Sequence, residues 1–192
     1  MKDVLNIIQI GHPTLRKIAD PVDPRMIGSA EIQQFIDQLI ATKRAANGAG
    51  IAANQVDSTH RIFVAEAGYN PRHPYRPEYP LTVLINPELT LLTDDRFDSF
   101  EGCLSVPGLR GVVSRCPIIS VKGYNRDGDP VDFEVRGMSA AIFQHEHDHL
   151  DGVLYTDKLT DPKTLCSSEE FDLRCGEDFK RTVLEVEQRY NA

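Results

Sequence analysis

The chain has 192 residues, of which 41% are hydrophobic and 26% charged, and its net charge at pH 7 is −8. These values are typical of one soluble globular domain spanning residues 1–192, and they exclude disorder as the dominant state. The acidic balance argues against direct nucleic-acid binding, and no apolar run approaches the roughly 18 residues of a membrane span. With no signal-peptide stretch and only four cysteines, we expect a cytoplasmic protein with reduced thiols.

The first half of the chain predicts one helix followed by strands. Ser29 precedes apolar residues at helical spacing, and Asn47-Gly48 provides a left-handed stop signal. Asn86-Pro87 divides the last two of three short apolar runs that are typical of strands, residues 62–65, 81–85 and 89–92. Residues 67–80 are rich in proline, which predicts a surface loop insertion within the domain.

The second half predicts a hairpin and two further helices. Two apolar runs, residues 118–121 and 131–135, flank an Asp-rich turn at residues 125–129, which is too short for a calcium loop. Ser139 is predicted to cap the next helix, and Gly152 to end it. An amphipathic stripe then predicts a C-terminal helical extension over residues 167–192, through Phe179, Val183, Val186 and Tyr190. Because strands and helices do not alternate regularly, we expect an α+β fold with antiparallel sheets packed around the central helix.

The central helix carries a motif with metal-binding spacing. His145 and His149 are four residues apart, so they project from one face and can close on one metal ion. Glu146 lies about 100° further round the helix, where it can reach a water without being a ligand. Two histidines leave the site short of the three protein ligands usual for a catalytic metal. The remaining chain must therefore supply one more.

Cys103 is the best candidate for the third ligand, because it follows a flexible glycine within Glu101-Gly102-Cys103-Leu104-Ser105. The other three cysteines are interpreted as small buried hydrophobes: Cys116, Cys166 and Cys175. His147 points away from the ligand face and is interpreted as a packing or surface residue. Asp148 is equally compatible with orienting a ligand imidazole and with capping or solvation. The remaining histidines have no partner at ligand spacing: His12, His60 and His73.

An upstream segment of small residues, residues 48–55, does not have the spacing of a nucleotide loop. It lacks both the third glycine of a dinucleotide fingerprint and the Lys-Ser/Thr pair of a P-loop. Small side chains instead allow close approach of another backbone, so Gly50 and Ile51 are candidates to line an extended peptide substrate.

Together, three segments resemble the peptide deformylases. That family has GxGxAAxQ, EGCxS and QHExDHL segments in this order, which correspond here to residues 48–55, 101–105 and 144–150. The resemblance covers about residues 4–160. It implies Cys103, His145 and His149 as metal ligands and Glu146 as the acid/base. It further assigns two oxyanion donors, the Gln55 side chain and the Leu104 backbone N–H.

The family resemblance also implies the substrate and the metal. The substrate class is the N-formyl-methionyl end of a nascent polypeptide, from which formate is released. One turn before His145, an apolar face offers a pocket for the methionine side chain or is plain core: Met138, Ala141 and Ile142. Arg110 is a candidate for contact with the substrate backbone, or else a solvated or ion-paired charge. Ferrous iron (Fe²⁺) is the implied metal, and zinc, nickel and cobalt suit the same ligands.

One expected partner of the family is not supported by this sequence. Bacterial deformylases are described as docking on the ribosome through a basic C-terminal helix, whereas residues 167–192 contain seven acidic and four basic residues. Two alternative functions stay open on the motif alone. HExxH also marks zinc endopeptidases, although no histidine follows His149, and a non-catalytic protein stapled by a metal would have no use for Glu146.

Overall fold

A computed structural model describes residues 4–68, 75 and 77–191. It contains eight strands within those residues: β1 Gly50–Ala52, β2 Ile62–Ala67, β3 Tyr79–Leu91, β4 Phe97–Cys103, β5 Val106–Arg115, β6 Ile118–Tyr124, β7 Pro130–Arg136 and β8 Cys166–Ser167. The main helices are α1 Ala30–Ala45, α2 Gly137–Leu150, α3 Ser168–Glu170 and α4 Gly176–Tyr190. A π-helical turn, Phe171–Cys175, joins the last two.

The strands form two antiparallel sheets, and α2 packs against strands of both. The larger sheet has the order β1-β2-β3-β6-β7, and the smaller has the order β4-β5-β8. Phe143 of α2 is fully buried and packs edge-on against Phe63 of β2 and Tyr79 of β3, with ring centroids 5.5 and 5.1 Å apart. This arrangement confirms the predicted α+β fold around a central helix.

The N-terminal helix α1 begins and ends where its sequence signals predict. Ser29 accepts a hydrogen bond from the Ile32 N–H, and Asn47 adopts the left-handed conformation at φ 54° directly after the helix. Lys43 in its last turn is almost fully buried and donates hydrogen bonds to the Gly48 and Glu66 carbonyls at 3.1 and 3.2 Å. The helix thereby holds the chain that leads into β1.

Two local predictions are wrong. Residues 81–85 and 89–92 belong largely to one strand, β3, because Asn86 takes a positive φ of 52° and the pairing with β6 shifts register there without ending. Ser139 does not cap α2, which already starts at Gly137. Ser139 is therefore the third residue of the helix, and it is buried. The cap comes from α4, where Glu187 Oε1 accepts a hydrogen bond from the Met138 N–H at 2.7 Å.

The C-terminal segment packs on the body of the protein as the predicted stripe requires. Phe179, Val183 and Val186 of α4 are buried, and β8 pairs with β5. The predicted loop at residues 67–80 lies partly outside the described residues, as does His73, since residues 69–74 and 76 are not described. Across the described part of the chain, no helix has both the length and the apolar character needed to cross a membrane.

Candidate active site

The predicted metal ligands converge in space. Cys103 Sγ and one nitrogen from each of His145 and His149 lie within 4.8 Å of one another. The two histidines come from the middle and the end of α2, whereas Cys103 comes from the end of β4. A thiolate and two imidazoles that converge in this way form a donor set that suits a transition-metal ion.

Cys103 is aimed at the histidines by the turn that follows it. The β4-β5 pairing shifts register between Gly102 and Cys103, which is then paired with Val106. The Ser105 N–H points at Cys103 Sγ, 3.4 Å away, and Sγ lies 3.2 Å from His149 Nε2. The tight turn therefore places the sulfur where a metal ligand is needed.

A buried ionic chain orients His145. Its Nδ1 lies 2.8 Å from Glu101 Oε2, which leaves Nε2 free to face a metal. Arg115 donates to both Glu101 oxygens at 2.7 and 2.8 Å and to Asp148 at 2.6 Å. Burial raises the pKa of Glu101, but the Arg115 guanidinium outweighs it and holds the value at about 2. Glu101 is therefore ionised at neutral pH, and its contact with Nδ1 orients the imidazole of His145.

Sequence reasoning did not single out Glu101 or Arg115 as functional residues. Glu101 is part of the EGCxS segment, so a motif signal for it existed. Its partner Arg115 lies fourteen residues away on β5, outside any motif. Asp148 lies one step further out, where its carboxylate accepts hydrogen bonds from Arg115 and Lys158. Asp148, for which both orientation of a ligand imidazole and capping or solvation were left open, therefore supports His145 only indirectly, through Arg115 and Glu101.

His149 is buried, and its backbone carbonyl is held by a side-chain hydrogen bond. Its carbonyl accepts a hydrogen bond from the Asn54 side-chain amide. Burial lowers the pKa of His149 well below its usual range, which favours the neutral imidazole that binds metals. Its Nδ1 is buried and has no hydrogen-bond partner among the described residues.

Glu146 is a buried carboxyl group directly beside the ligand cluster. It is only 4% exposed, and its Oε2 has no hydrogen-bond partner within the described part of the chain. Burial raises the pKa of Glu146 to about 7, which suits a group that accepts and returns a proton near neutral pH. A Cβ added at Gly50 would lie 2.3 Å from Glu146 Oε1, so glycine is needed at that position of β1.

Gln55 and Leu104 flank Cys103. Gln55 Oε1 accepts a hydrogen bond from the Ala52 N–H at 2.8 Å, which directs its NH₂ group toward Ser105 Oγ and Cys103 Sγ at 3.2 and 3.5 Å. Leu104 lines the cavity and approaches Gly48 so closely that a Cβ there would lie 2.8 Å from its Cδ1. Both residues predicted as donors therefore stand next to the metal ligands.

A cavity of about 330 Å³ opens over Cys103 and His145. Five of the six predicted substrate-binding residues line it: Gly50, Arg110, Met138, Ala141 and Ile142. Ile51 does not, because its side chain is fully buried in the core beneath α1. Several other lining residues were not anticipated from the sequence, among them Phe100, Ser168 and Phe179. Two of these come from the C-terminal segment, whose amphipathic pattern predicted packing but not a place at the cavity.

The remaining candidates lie away from the cavity. His147 faces Arg61, with 3.1 Å between its Nε2 and the guanidinium, and its Nδ1 lies 3.5 Å from Asp151. It is a packing residue with polar partners, as predicted. Of the three cysteines interpreted as small buried hydrophobes, Cys116 is buried as expected. The interpretation is wrong for Cys166 and Cys175, which are only partly buried.

Three converging donor groups, an adjacent buried carboxyl group and an open cavity have the layout of a catalytic metal centre of the hydrolase type. A structural site would instead close its fourth position with a side chain.

Comparison with known proteins identifies the family. The polypeptide deformylase family model matches residues 4–165. Peptide deformylase 2 of Nostoc sp. is 44% identical over 88% of this chain and 93% of its own length. A Met-Ala-Ser-bound class I type b peptide deformylase from Acinetobacter baumannii is 37% identical, with a TM-score of 0.80 over 83% of this chain and all of its own. A peptide deformylase from Synechococcus elongatus in complex with actinonin has a TM-score of 0.74 at 31% identity over 91% of this chain and 90% of its own.

The chain belongs to the polypeptide deformylase family. It is a metal-dependent hydrolase that removes the N-formyl group from the N-terminal formyl-methionine of newly synthesised polypeptides, with release of formate. Neither the zinc endopeptidase nor the metal-stapled binding protein is supported by these relatives.

Proposed function

We propose that Cys103, His145 and His149 hold the catalytic metal and that Glu146 is the acid/base. The observation that carries this assignment is the convergence of the three ligand atoms within 4.8 Å, beside a buried carboxyl group at the floor of the cavity. The buried Nδ1 of His149 and Oε2 of Glu146, unpaired among the described residues, fit a centre completed by a bound ion and its water.

A divalent metal at this centre supplies Lewis-acid chemistry, lowering the pKa of water and polarising the formyl oxygen. Glu146 accepts the proton of the attacking water and then delivers it to the leaving nitrogen of the formamide. Its pKa of about 7 suits both transfers. Gln55 Nε2 and the Leu104 N–H donate to the oxygen that becomes negative, and one such donor is worth about 3 to 4 kcal/mol.

Substrate binding follows from the walls of the cavity. Met138, Ala141 and Ile142 supply an apolar surface for the methionine side chain, and Gly50 on the edge strand β1 leaves its backbone open to an extended peptide. Ile51 contributes through its backbone, since its side chain is in the core. The Acinetobacter baumannii relative with Met-Ala-Ser bound supports a peptide of this kind in the same fold.

Arg110 stands on the smaller sheet at the cavity rim. Its guanidinium carbon lies 4.9 Å from the centroid of the Phe171 ring. Because it lines the cavity, it is placed to contact the substrate backbone beyond the methionine. The ring fixes the side chain with a cation–π contact, which limits the entropy lost on binding.

The metal is proposed to be ferrous iron. A thiolate with two imidazoles also accepts zinc, nickel or cobalt, and affinity alone does not rank them as a cell does. Metal analysis of protein purified without oxygen tests this proposal. Iron as the major metal at about one per chain would support it, and zinc at that stoichiometry with full activity would overturn it.

The wider setting is also a proposal. We infer one catalytic domain over residues 1–192, supported by the packing of the C-terminal segment on α2 and β4. A cytoplasmic location is supported by four free thiols and by a nascent-chain substrate. The net charge of −3 over residues 167–192 does not support ribosome docking through this segment, nor direct nucleic-acid binding.

Two variants separate the proposed roles. Cys103→Ala should lose the metal, whereas Glu146→Gln should keep it at wild-type stoichiometry and lose turnover by about 10² to 10⁴-fold, the usual worth of a positioned acid/base. Lys122→Met, on an exposed surface pair, serves as a control for handling and folding. Wild-type metal content in Cys103→Ala would remove that residue from the ligand set.

A further inference from the structure

Part of the cavity wall is formed by residues that follow the segment matched by the family model. The family model matches residues 4–165, yet Ser168 and Phe179 line the cavity. Both belong to the C-terminal segment that follows β8. This segment therefore contributes to the site as well as to the surface.

Residues on one stripe of α2 lead from the metal centre to that wall. Met138, Ile142 and His145 are spaced by four and three residues, so they lie on the same face of the helix. At 1.5 Å per residue, the stripe from His145 to Met138 is about 10 Å long. All three residues line the cavity. A side chain that starts beside the metal and runs along this stripe meets Met138 last.

Phe179 closes the stripe at the Met138 end. It is 4% exposed and belongs to a cluster against which Met138 and Phe100 pack. Its ring centroid lies 6.1 Å from that of Phe100 and 5.8 Å from that of Phe171. Phe179 is thus a packed aromatic ring with one side toward the cavity.

Two anchors fix the position of this wall. Before it, β8 pairs with β5 through Leu109 and Arg110, both of which line the cavity. After it, Glu187 accepts a hydrogen bond from the Met138 N–H at the start of α2. Gly137, at φ 60°, allows this contact, because a Cβ there would lie 2.3 Å from Glu187 Oε1. The same helix α4 therefore supplies the wall and caps the metal-binding helix.

We propose that Phe179 sets the length of the first side chain that the enzyme accepts, so that the C-terminal segment is a specificity-determining part of the site. The inference rests on the proposed binding of the methionine side chain along α2. Methionine places four heavy atoms beyond Cα, whereas a straight six-carbon side chain places six and therefore extends further toward Phe179.

The test compares formyl-Met-Ala-Ser with the same peptide carrying 2-aminooctanoate in place of methionine. Phe179→Ala should raise the kcat/KM of the longer substrate relative to the methionine substrate at least tenfold, since each methylene in an apolar pocket is worth about 10- to 200-fold. Leu184→Ala is the matched control, because Leu184 is on the same helix but 49% exposed. Its ratio should stay within twofold of wild type.

A second readout is independent of turnover. Calorimetry measures the affinity of the unformylated products, Met-Ala-Ser and its aminooctanoyl analogue. In Phe179→Ala, the affinity for the aminooctanoyl peptide should rise relative to that for Met-Ala-Ser. Phe179→Leu keeps an apolar side chain but a smaller one, so its preference should change in the same direction by a smaller factor. This variant keeps the inference testable if Phe179→Ala does not fold. An unchanged ratio in both readouts for both variants would overturn the inference. Failure of the wild-type protein to release formate would instead overturn the proposed function.

Discussion

Arg115 offers a sharp test of how the site is supported. Its side chain is 1% exposed and makes three charged hydrogen bonds, two to Glu101 and one to Asp148. Arg115→Met removes all three while leaving the Glu101 carboxyl group buried. Breaking a buried ion pair from one side costs about 3 to 5 kcal/mol, because the remaining charge is left without compensation.

The same change should reach the metal. Glu101 orients His145, and loss of such an outer partner typically lowers metal affinity by about 10- to 100-fold. Arg115→Lys keeps the charge but not the two-pronged geometry, so it should fall between Arg115→Met and wild type.

Equilibrium urea denaturation at a fixed metal concentration measures the stability change, and competition with a chelator measures the affinity. Lys122→Met is the control, since Lys122 pairs with Asp132 at 3.2 Å with both side chains about 60% exposed; it should cost less than about 1 kcal/mol. If Arg115→Met were as mild as this control and kept its metal affinity, the buried ionic chain would not support the site.

Three further outcomes are expected. Gly50→Ala should lower kcat by about 10²-fold, because the added Cβ collides with Glu146 and a displacement of a reacting group by about one ångström costs about that much. An unchanged kcat would show that Glu146 moves without penalty. Gln55→Ala should lower kcat by about 10² to 10³-fold with the metal retained, and full activity would exclude the oxyanion role. Glu66 has a pKa of about 2 beside Arg44, below its ordinary 4.5, so its contribution to stability is present above pH 4.5 and is lost as the pH falls through 2. Glu66→Gln should therefore be less stable by about 2 kcal/mol at pH 7, with a gap that narrows toward pH 2; a gap independent of pH would contradict this.

Local signals predicted much of this molecule, and the failures share one cause. Ser29 and Asn47 bound α1 through contacts within a few residues, so the sequence window contained the answer. Ser139 was misassigned because α2 is capped by Glu187, which lies 49 positions after Met138, the residue from whose N–H it accepts a hydrogen bond. Similarly, Asn86 bonds the Val22 backbone with both ends of its amide, at 2.8 and 2.7 Å, and this distant contact stabilises the bulge that keeps β3 continuous.

The site divides in the same way. His145, Glu146 and His149 are readable from helical spacing alone, and Cys103 from the ligand count that they leave incomplete. Arg115 and Phe179 gave no such signal, because each acquires its role from a neighbour on another element. The spacing of a motif identifies functional residues on one helix or strand. Residues that orient a ligand or line a cavity from another element can be identified only when the packing of the elements is known.

The most direct test of the central claim is the product of the reaction. Protein purified without oxygen and loaded with ferrous ion is incubated with formyl-Met-Ala-Ser, and formate and peptide products are quantified together. We expect formate and Met-Ala-Ser in equal amounts, with neither formed by Glu146→Gln. Cleavage between methionine and alanine without formate would contradict the assignment of this centre to the terminal formamide.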